Sequence, residues 1–105
     1  MTSSGSGLRV ALGEYDIGWH DPATSLARAA KIVSAAAADG TRLVVLPEMC
    51  TSGFTMDLDF AEPLAGESVA ALSRMAAQAD VWLLAGVATR ATDAAQGIAR
   101  NSALL

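Results

Sequence analysis

The stretch RLVVLPE at residues 42–48 decides the fold expected for this 105-residue chain. Residues 43–46 are all apolar without alternation, and two adjacent β-branched residues disfavour a helix. We therefore predict a strand over residues 42–46 that is buried on both faces. Pro47 lacks an amide hydrogen and keeps the preceding residue extended, so the strand should end there with Glu48 at its tip.

A strand and a helix are predicted before this stretch. Apolar residues alternate at positions 8–12, which indicates a strand with at least one buried face. Asp21 can accept hydrogen bonds from the first free amides of a helix, and Pro22 sits where no amide is needed. Gly40 is expected to end that helix. Its apolar stripe, at spacings of three and four, is Leu26, Ala29, Ala30, Val33, Ala36 and Ala37.

A second helix and two more strands are predicted after it. Glu67 and Ser68 can open the helix, residues 81–85 form a fully apolar strand, and residues 102–105 begin another. Residues 91–100 are small and polar, which predicts a loop. Strands alternating with helices are typical of parallel crossover units, so the fold class is α/β. The stripe of the second helix is Val69, Leu72, Met75, Ala76 and Ala79.

Composition bounds the class of protein. Hydrophobic residues make up 52% and charged residues 17%, which suits one packed core and excludes a disordered chain. A net charge of -4 without a basic cluster argues against nucleic acid. Because neither a signal peptide nor a membrane span is present, we expect a soluble cytoplasmic protein with a flexible tail at residues 1–7. Cys50 is the single cysteine, which excludes an internal disulfide.

The last residues of the sequence lie in a predicted apolar strand. A domain rarely ends on unprotected strand residues, because their unpaired amides and carbonyls are open to any neighbour. We therefore expect residues 8–105 to be the amino-terminal part of a longer domain, truncated at Leu105.

Glu48 is the residue best placed for chemistry. Ligand crevices of open α/β sheets form at the carboxyl ends of the strands, and a carboxylate there suits a general base. Alternatively, Glu48 caps a helix or pairs with an arginine at the sheet edge. Placement alone does not separate these interpretations.

A family resemblance adds to this reading. The run VVLPEM at residues 44–49, followed by TSGFTMD at 51–57, resembles the first catalytic motif of the nitrilase superfamily of carbon-nitrogen hydrolases, closest to its omega-amidase-like branch. The resemblance implies the amino-terminal part of a four-layer αββα sandwich. It also implies a catalytic Glu, Lys and Cys, with no cofactor and no metal. Segments similar to the family's neighbouring strands and helix entry are residues 10–12, 16–22, 83–86 and 101–104.

The resemblance assigns roles to two residues of this chain. It implies that Glu48 is the catalytic carboxylate and that Phe54 lines the substrate acyl pocket. An ordinary core aromatic is the alternative for Phe54, and Gly53 is expected to allow a turn that brings this ring inward. The lysine and the nucleophilic cysteine would both fall beyond Leu105.

Three other polar residues, Cys50, Lys31 and His20, are expected to play no catalytic part. Cys50 has no His or Lys nearby in the sequence to stabilise a thiolate, so we interpret it as a buried structural thiol. Lys31 is a solvated charge on the first helix. His20, the single histidine, is a loop or capping residue and not a metal ligand. Glu14 stands where relatives often carry an uncharged amide.

The function implied by the resemblance is hydrolysis of a small amide, omega-amidase-like, which releases ammonia and a carboxylate. The full-length form is expected to be a homo-oligomer such as a dimer, and these 105 residues alone are expected to be inactive. The alternative is a small α/β binding or interaction module without catalytic activity. A nucleotide-binding domain is disfavoured because residues 13–16, GEYD, are acidic and form no Gly-rich phosphate loop.

Overall fold

The computed structural model of the chain describes residues 7–91 and 99–105. These residues form a four-stranded sheet with two α-helices and one turn of 3-10 helix. The elements in chain order are β1 (Val10–Leu12), α1 (Pro22–Ala38), β2 (Leu43–Val45), the 3-10 turn (Leu58–Phe60), α2 (Glu67–Ala79), β3 (Trp82–Arg90) and β4 (Ala99–Leu104).

The strands lie in the order β1-β2-β3-β4. The first three are parallel and β4 runs antiparallel to β3. Each parallel neighbour is reached through one of the two helices, which is the predicted crossover pattern. The predicted α/β fold class is therefore confirmed. The predicted tail lies outside the described residues, except for Gly7.

Local capping explains the limits of α1. The Asp21 carboxylate accepts a hydrogen bond from the Thr24 amide at 3.1 Å, as the sequence predicted. At the other end Gly40 adopts a φ of 84°, and the Thr41 amide donates to the Ala36 carbonyl at 3.0 Å. The Gly40 amide also donates to the Ala37 carbonyl at 3.1 Å. This is a Schellman motif, in which a residue of left-handed conformation allows two free carbonyls at the helix end to accept hydrogen bonds.

Both helices pack against the same face of the sheet. Val33 of α1 and Leu72 of α2 belong to one buried cluster with Val44, which is 0% exposed at the centre of β2. The predicted stripe of α2 is confirmed, because Leu72 is buried and its neighbours in the stripe pack partly buried around it. No helix among residues 7–91 and 99–105 has the length and apolar character needed to cross a bilayer.

The opposite face of the sheet differs from the prediction. Val44 is buried, but Leu43 and Val45 are only half-buried, so β2 is not covered on both faces. Leu12 and Val10 are 77% and 47% exposed, which makes the buried face predicted for the first strand wrong. The physical reason is that both described helices lie on one side, whereas the other side has no helix among the described residues and is covered at Ala88 by Met49 and Ala61.

The largest differences from the predicted strand boundaries lie at the end of β3 and the start of β4. The third strand, predicted to end at Ala85, continues to Arg90 because β4 pairs with it along that length. Ala99 and Arg100 belong to β4 and not to the predicted loop. Residues 92–98 of that loop lie outside the described residues.

Candidate active site

Directly after β2 the chain continues along the middle part of β3. The Leu46 amide donates to the Leu84 carbonyl at 2.8 Å, and the Cys50 amide donates to the Gly86 carbonyl, also at 2.8 Å. The intervening turn contains Glu48 and rests on the glycine. A Cβ at position 86 would lie 2.8 Å from the Glu48 Cα, so this position requires glycine.

Asn101 is the hydrogen-bond partner of Glu48. It lies in β4 opposite Ala88 of β3, and its side-chain amide donates to Glu48 Oε1. Both residues are exposed. Within residues 7–91 and 99–105, Glu48 forms no ion pair and caps no helix, so neither alternative raised from its placement is observed.

A cleft of about 300 Å³ lies beside this pair. Its walls include Val45 of β2 and Leu84 of β3, with Ala103 of β4 beyond them. The geometry therefore places a hydrogen-bonded carboxylate at the rim of an apolar cleft on the sheet face that the helices leave open. Because Asn101 donates to one carboxylate oxygen, the second oxygen is left to accept a proton or a hydrogen bond.

A larger groove, of about 620 Å³, lies on the helix side between α2 and the strands β3 and β4. Leu64, Leu72 and Leu104 contribute to its largely apolar lining. Its charged lining residues, Arg42 and Asp80, are not among the predicted site residues. Size alone does not make a site, and the smaller cleft is the one that contains the carboxylate.

Phe54 is exposed and does not join the core. Its side chain is 67% exposed, so the core-aromatic alternative is wrong for the residues that the structure describes. Gly53 adopts a φ of 81°, which confirms the predicted need for glycine at the turn, but the turn does not bring the ring inward. The role of Phe54 in an acyl pocket stays a prediction.

His20 is a loop residue, as predicted, but its contacts were not foreseen. Its backbone amide donates to the Ser52 carbonyl at 3.0 Å, and its Nε2 lies 2.6 Å from the Thr55 hydroxyl oxygen. The imidazole stacks between the rings of Trp19 and Phe60. No cluster of three or more possible metal-ligating side chains occurs in the described part of the chain.

Cys50 is the buried thiol that the sequence suggested. It is 1% exposed, and burial raises the pKa of the thiol, so the nucleophilic thiolate is disfavoured. The Tyr15 hydroxyl donates to the Cys50 backbone carbonyl at 2.7 Å. Burial also raises the pKa of Tyr15. Lys31 is exposed, as predicted for a solvated charge, and Glu14 is exposed as well.

Sequence reasoning missed the roles of Asn101 and Gly86 in this site. A glycine inside an apolar strand marks a place where another backbone approaches closely, and that signal was available for Gly86. No comparable local signal identifies Asn101, because its contact with Glu48 depends on how β4 is aligned against β3.

Comparison with known proteins places the chain in a family. The family model described as carbon-nitrogen hydrolase matches residues 9–105. The chain belongs to the carbon-nitrogen hydrolase family. This confirms the nitrilase-superfamily resemblance at the level of the family, and the narrower omega-amidase branch stays a prediction. A search of curated proteins found no match.

A solved structure extends the likeness to three dimensions. The chain is similar to XC1258 from Xanthomonas campestris, a CN-hydrolase superfamily protein whose crystal structure has an arsenic adduct in the active site. The two share 32% sequence identity with a TM-score of 0.74. The match covers 82% of this chain and 32% of that one, so the chain spans about a third of the length of XC1258.

Proposed function

We propose that this chain supplies the catalytic carboxylate of a carbon-nitrogen hydrolase that acts on small omega-amides, with Glu48 as the general base. The observation that carries this proposal is the position of Glu48. It follows a parallel strand at its carboxyl end, accepts a hydrogen bond from Asn101 and lies at the rim of an apolar cleft. Membership of the carbon-nitrogen hydrolase family supports the reaction class.

The proposed reaction is a two-step acyl transfer. A cysteine thiol gives its proton to Glu48 and attacks the amide carbon, and a lysine ammonium and a backbone amide stabilise the developing oxyanion. The carbon–nitrogen bond then breaks, ammonia leaves with the proton that Glu48 returns, and a thioester remains. Glu48 next takes a proton from water, whose oxygen attacks the thioester carbon. The carbon–sulfur bond then breaks, Glu48 returns the proton to the cysteine sulfur, and the acyl group leaves as the acid, which ionises to the carboxylate.

The nucleophile and the lysine of this mechanism are not supplied by the cysteine and lysine of this chain. Cys50 packs in the helix-side core, whereas Glu48 lies over Gly86 on the opposite face of the sheet. Lys31 projects from the exposed side of α1. We therefore propose that both groups come from a part of the protein outside these 105 residues, and that the 105 residues alone are inactive.

The experiment is a Glu48→Gln substitution in the full-length protein that contains this sequence, with ammonia release from omega-amides of dicarboxylic acids as the assay. The amide keeps the shape of the side chain but cannot accept the proton. We expect kcat/KM to fall by about a hundred-fold to ten-thousand-fold, the usual contribution of a positioned base. Because glutamine keeps an oxygen that can accept the hydrogen bond from Asn101, the midpoint of thermal unfolding should stay close to that of the wild type.

Glu67→Gln is the matched control, since Glu67 is also an exposed glutamate but lies in the first turn of α2. It should keep wild-type turnover. Normal activity in Glu48→Gln would remove this residue from the mechanism. A wild-type protein that releases no ammonia from any small amide would favour the binding-module alternative.

A further inference from the structure

The segment that follows Glu48 has little regular structure of its own. Between the end of β2 at Val45 and the 3-10 turn at Leu58, no residue lies in a helix or strand. Such a segment keeps one conformation only where other parts of the protein hold it. Residues 52–55 of this segment, named here the acyl loop, contact the chain just before α1.

His20 makes two hydrogen bonds to the acyl loop. Its backbone amide donates to the Ser52 carbonyl at 3.0 Å, and its Nε2 lies 2.6 Å from Thr55 Oγ1. The same hydroxyl oxygen accepts a hydrogen bond from the Asp57 amide at 3.0 Å. Two points of the acyl loop are therefore fixed by one residue that is more than thirty positions away in sequence.

Aromatic stacking keeps the His20 ring in place. The ring centroids of Trp19 and His20 are 4.4 Å apart, and those of His20 and Phe60 are 4.0 Å apart, with interplanar angles of 19° and 17°. His20 also has a φ of 54°, which a non-glycine residue adopts only where its surroundings enforce it. The hydrogen bond from its amide to the Ser52 carbonyl and the stacking on both faces of its ring are described contacts that hold this conformation.

Trp19 holds the loop at a third point. A Cβ added to Gly53 would lie 2.9 Å from Trp19 Cε3, so the indole ring lies directly against this glycine. The two sequence neighbours of Phe54 are thus both held, Gly53 by Trp19 and Thr55 by His20. Since the backbone on either side of a residue sets the direction of its Cβ, these contacts fix the Cα–Cβ direction from which the exposed Phe54 ring extends.

We propose that Trp19 and His20 form a clamp that orients Phe54, and that His20 is thereby a positioning residue for substrate specificity. The group recognised would be the apolar methylene chain of the acyl part of an amide, which packs against the phenyl ring. The proposal rests on the proposed function, because Phe54 meets a substrate only if Glu48 acts on one. Neither Trp19 nor His20 touches the reacting atoms.

The main variant is His20→Gly in the full-length protein. Glycine adopts the positive φ without strain, so the backbone can stay while the ring and its bond to Thr55 are lost. We expect KM to rise by about tenfold, the scale on which an apolar pocket recognises one methylene group, with kcat changed by less than about threefold. His20→Gln can present a polar nitrogen to Thr55, so its KM should lie between that of the wild type and that of His20→Gly.

Ser25→Ala is the matched control for a general loss of stability at the same junction. Ser25 is buried and accepts a hydrogen bond from the Gly18 amide at 2.9 Å, but its hydrogen bonds do not reach the acyl loop. It should lower the midpoint of thermal unfolding without changing KM. A KM rise in Ser25→Ala equal to that in His20→Gly would overturn the proposal.

A second measurement, by limited proteolysis, does not depend on the hydrolase activity of the protein. Chymotrypsin cleavage after Phe54, identified by mass, should be faster in His20→Gly than in the wild type, because cleavage requires the loop to leave its held conformation. Unchanged cleavage together with unchanged KM would overturn the clamp. Faster cleavage in a protein with no amide hydrolysis would retain the clamp but reject its role in specificity, and would count against the proposed function as well.

Discussion

The two faces of the sheet are both rich in apolar side chains, but they differ in what covers them. On the helix side Val44 and Val87 are 0% and 1% exposed, whereas on the other side Leu12 and Trp82 are 77% and 63% exposed. Helices α1 and α2 account for the buried side. A hydrophobic pattern therefore shows which residues stabilise the fold when they are buried. It does not show which part of a protein covers them.

The open face is also the face that carries the candidate site. Glu48 and Asn101 meet there, and Gly86 makes room for the turn between them. The four-layer sandwich implied by the family resemblance would place a second sheet against this face, about 10 Å away. The same carboxylate would then lie in an interior cleft and not at a surface.

The largest effect is expected on the helix-covered face, from Leu72→Ala. Leu72 is 5% exposed within the main core cluster, so its truncation removes buried contacts and leaves a cavity. The free energy of unfolding should fall by about 2–5 kcal/mol, measured by urea denaturation. Leu64→Ala, at a leucine that is 59% exposed, is the control and should cost much less. Equal costs would mean that the burial of Leu72 does not stabilise the fold as described.

An intermediate effect is expected where the Glu48 turn crosses the open face, from Gly86→Ala. The new methyl group would meet the Glu48 backbone at 2.8 Å, and backbone atoms cannot move aside cheaply. We expect a loss of about 1–3 kcal/mol by the same denaturation assay. Gly7→Ala is the control, since a Cβ at position 7 has no neighbour within 4 Å. A Gly86→Ala variant of wild-type stability would contradict the close crossing.

The smallest effect is expected on the open face, from Leu12→Ser in the 105-residue chain. An exposed side chain loses little on truncation, so the free energy of unfolding should change by less than about 0.5 kcal/mol. The same substitution in the full-length protein separates two cases. A cost of about 2 kcal/mol or more there would show that another layer covers this face, and an equally small cost would argue against the sandwich.

Much of the local structure could be predicted from sequence because its causes lie close together along the chain. Asp21 and Gly40 mark the two ends of α1 through bonds to residues within a few positions. The apolar run of β2 and the proline after it indicate where Glu48 leaves the sheet. The limits of β3 could not be predicted in this way, because its last five residues extend only where β4 pairs with them.

The sequence by itself determined the order of strands and helices, the caps of α1 and the position of a carboxylate at a strand end, since these depend on side-chain periodicity and on bonds between near neighbours. Only the tertiary structure decided which sheet face is open and which distant residues meet. Asn101 reaches Glu48 across 53 positions and His20 reaches Thr55 across 35. Such pairs depend on strand alignment and on the path of the chain between elements, and no local pattern encodes either.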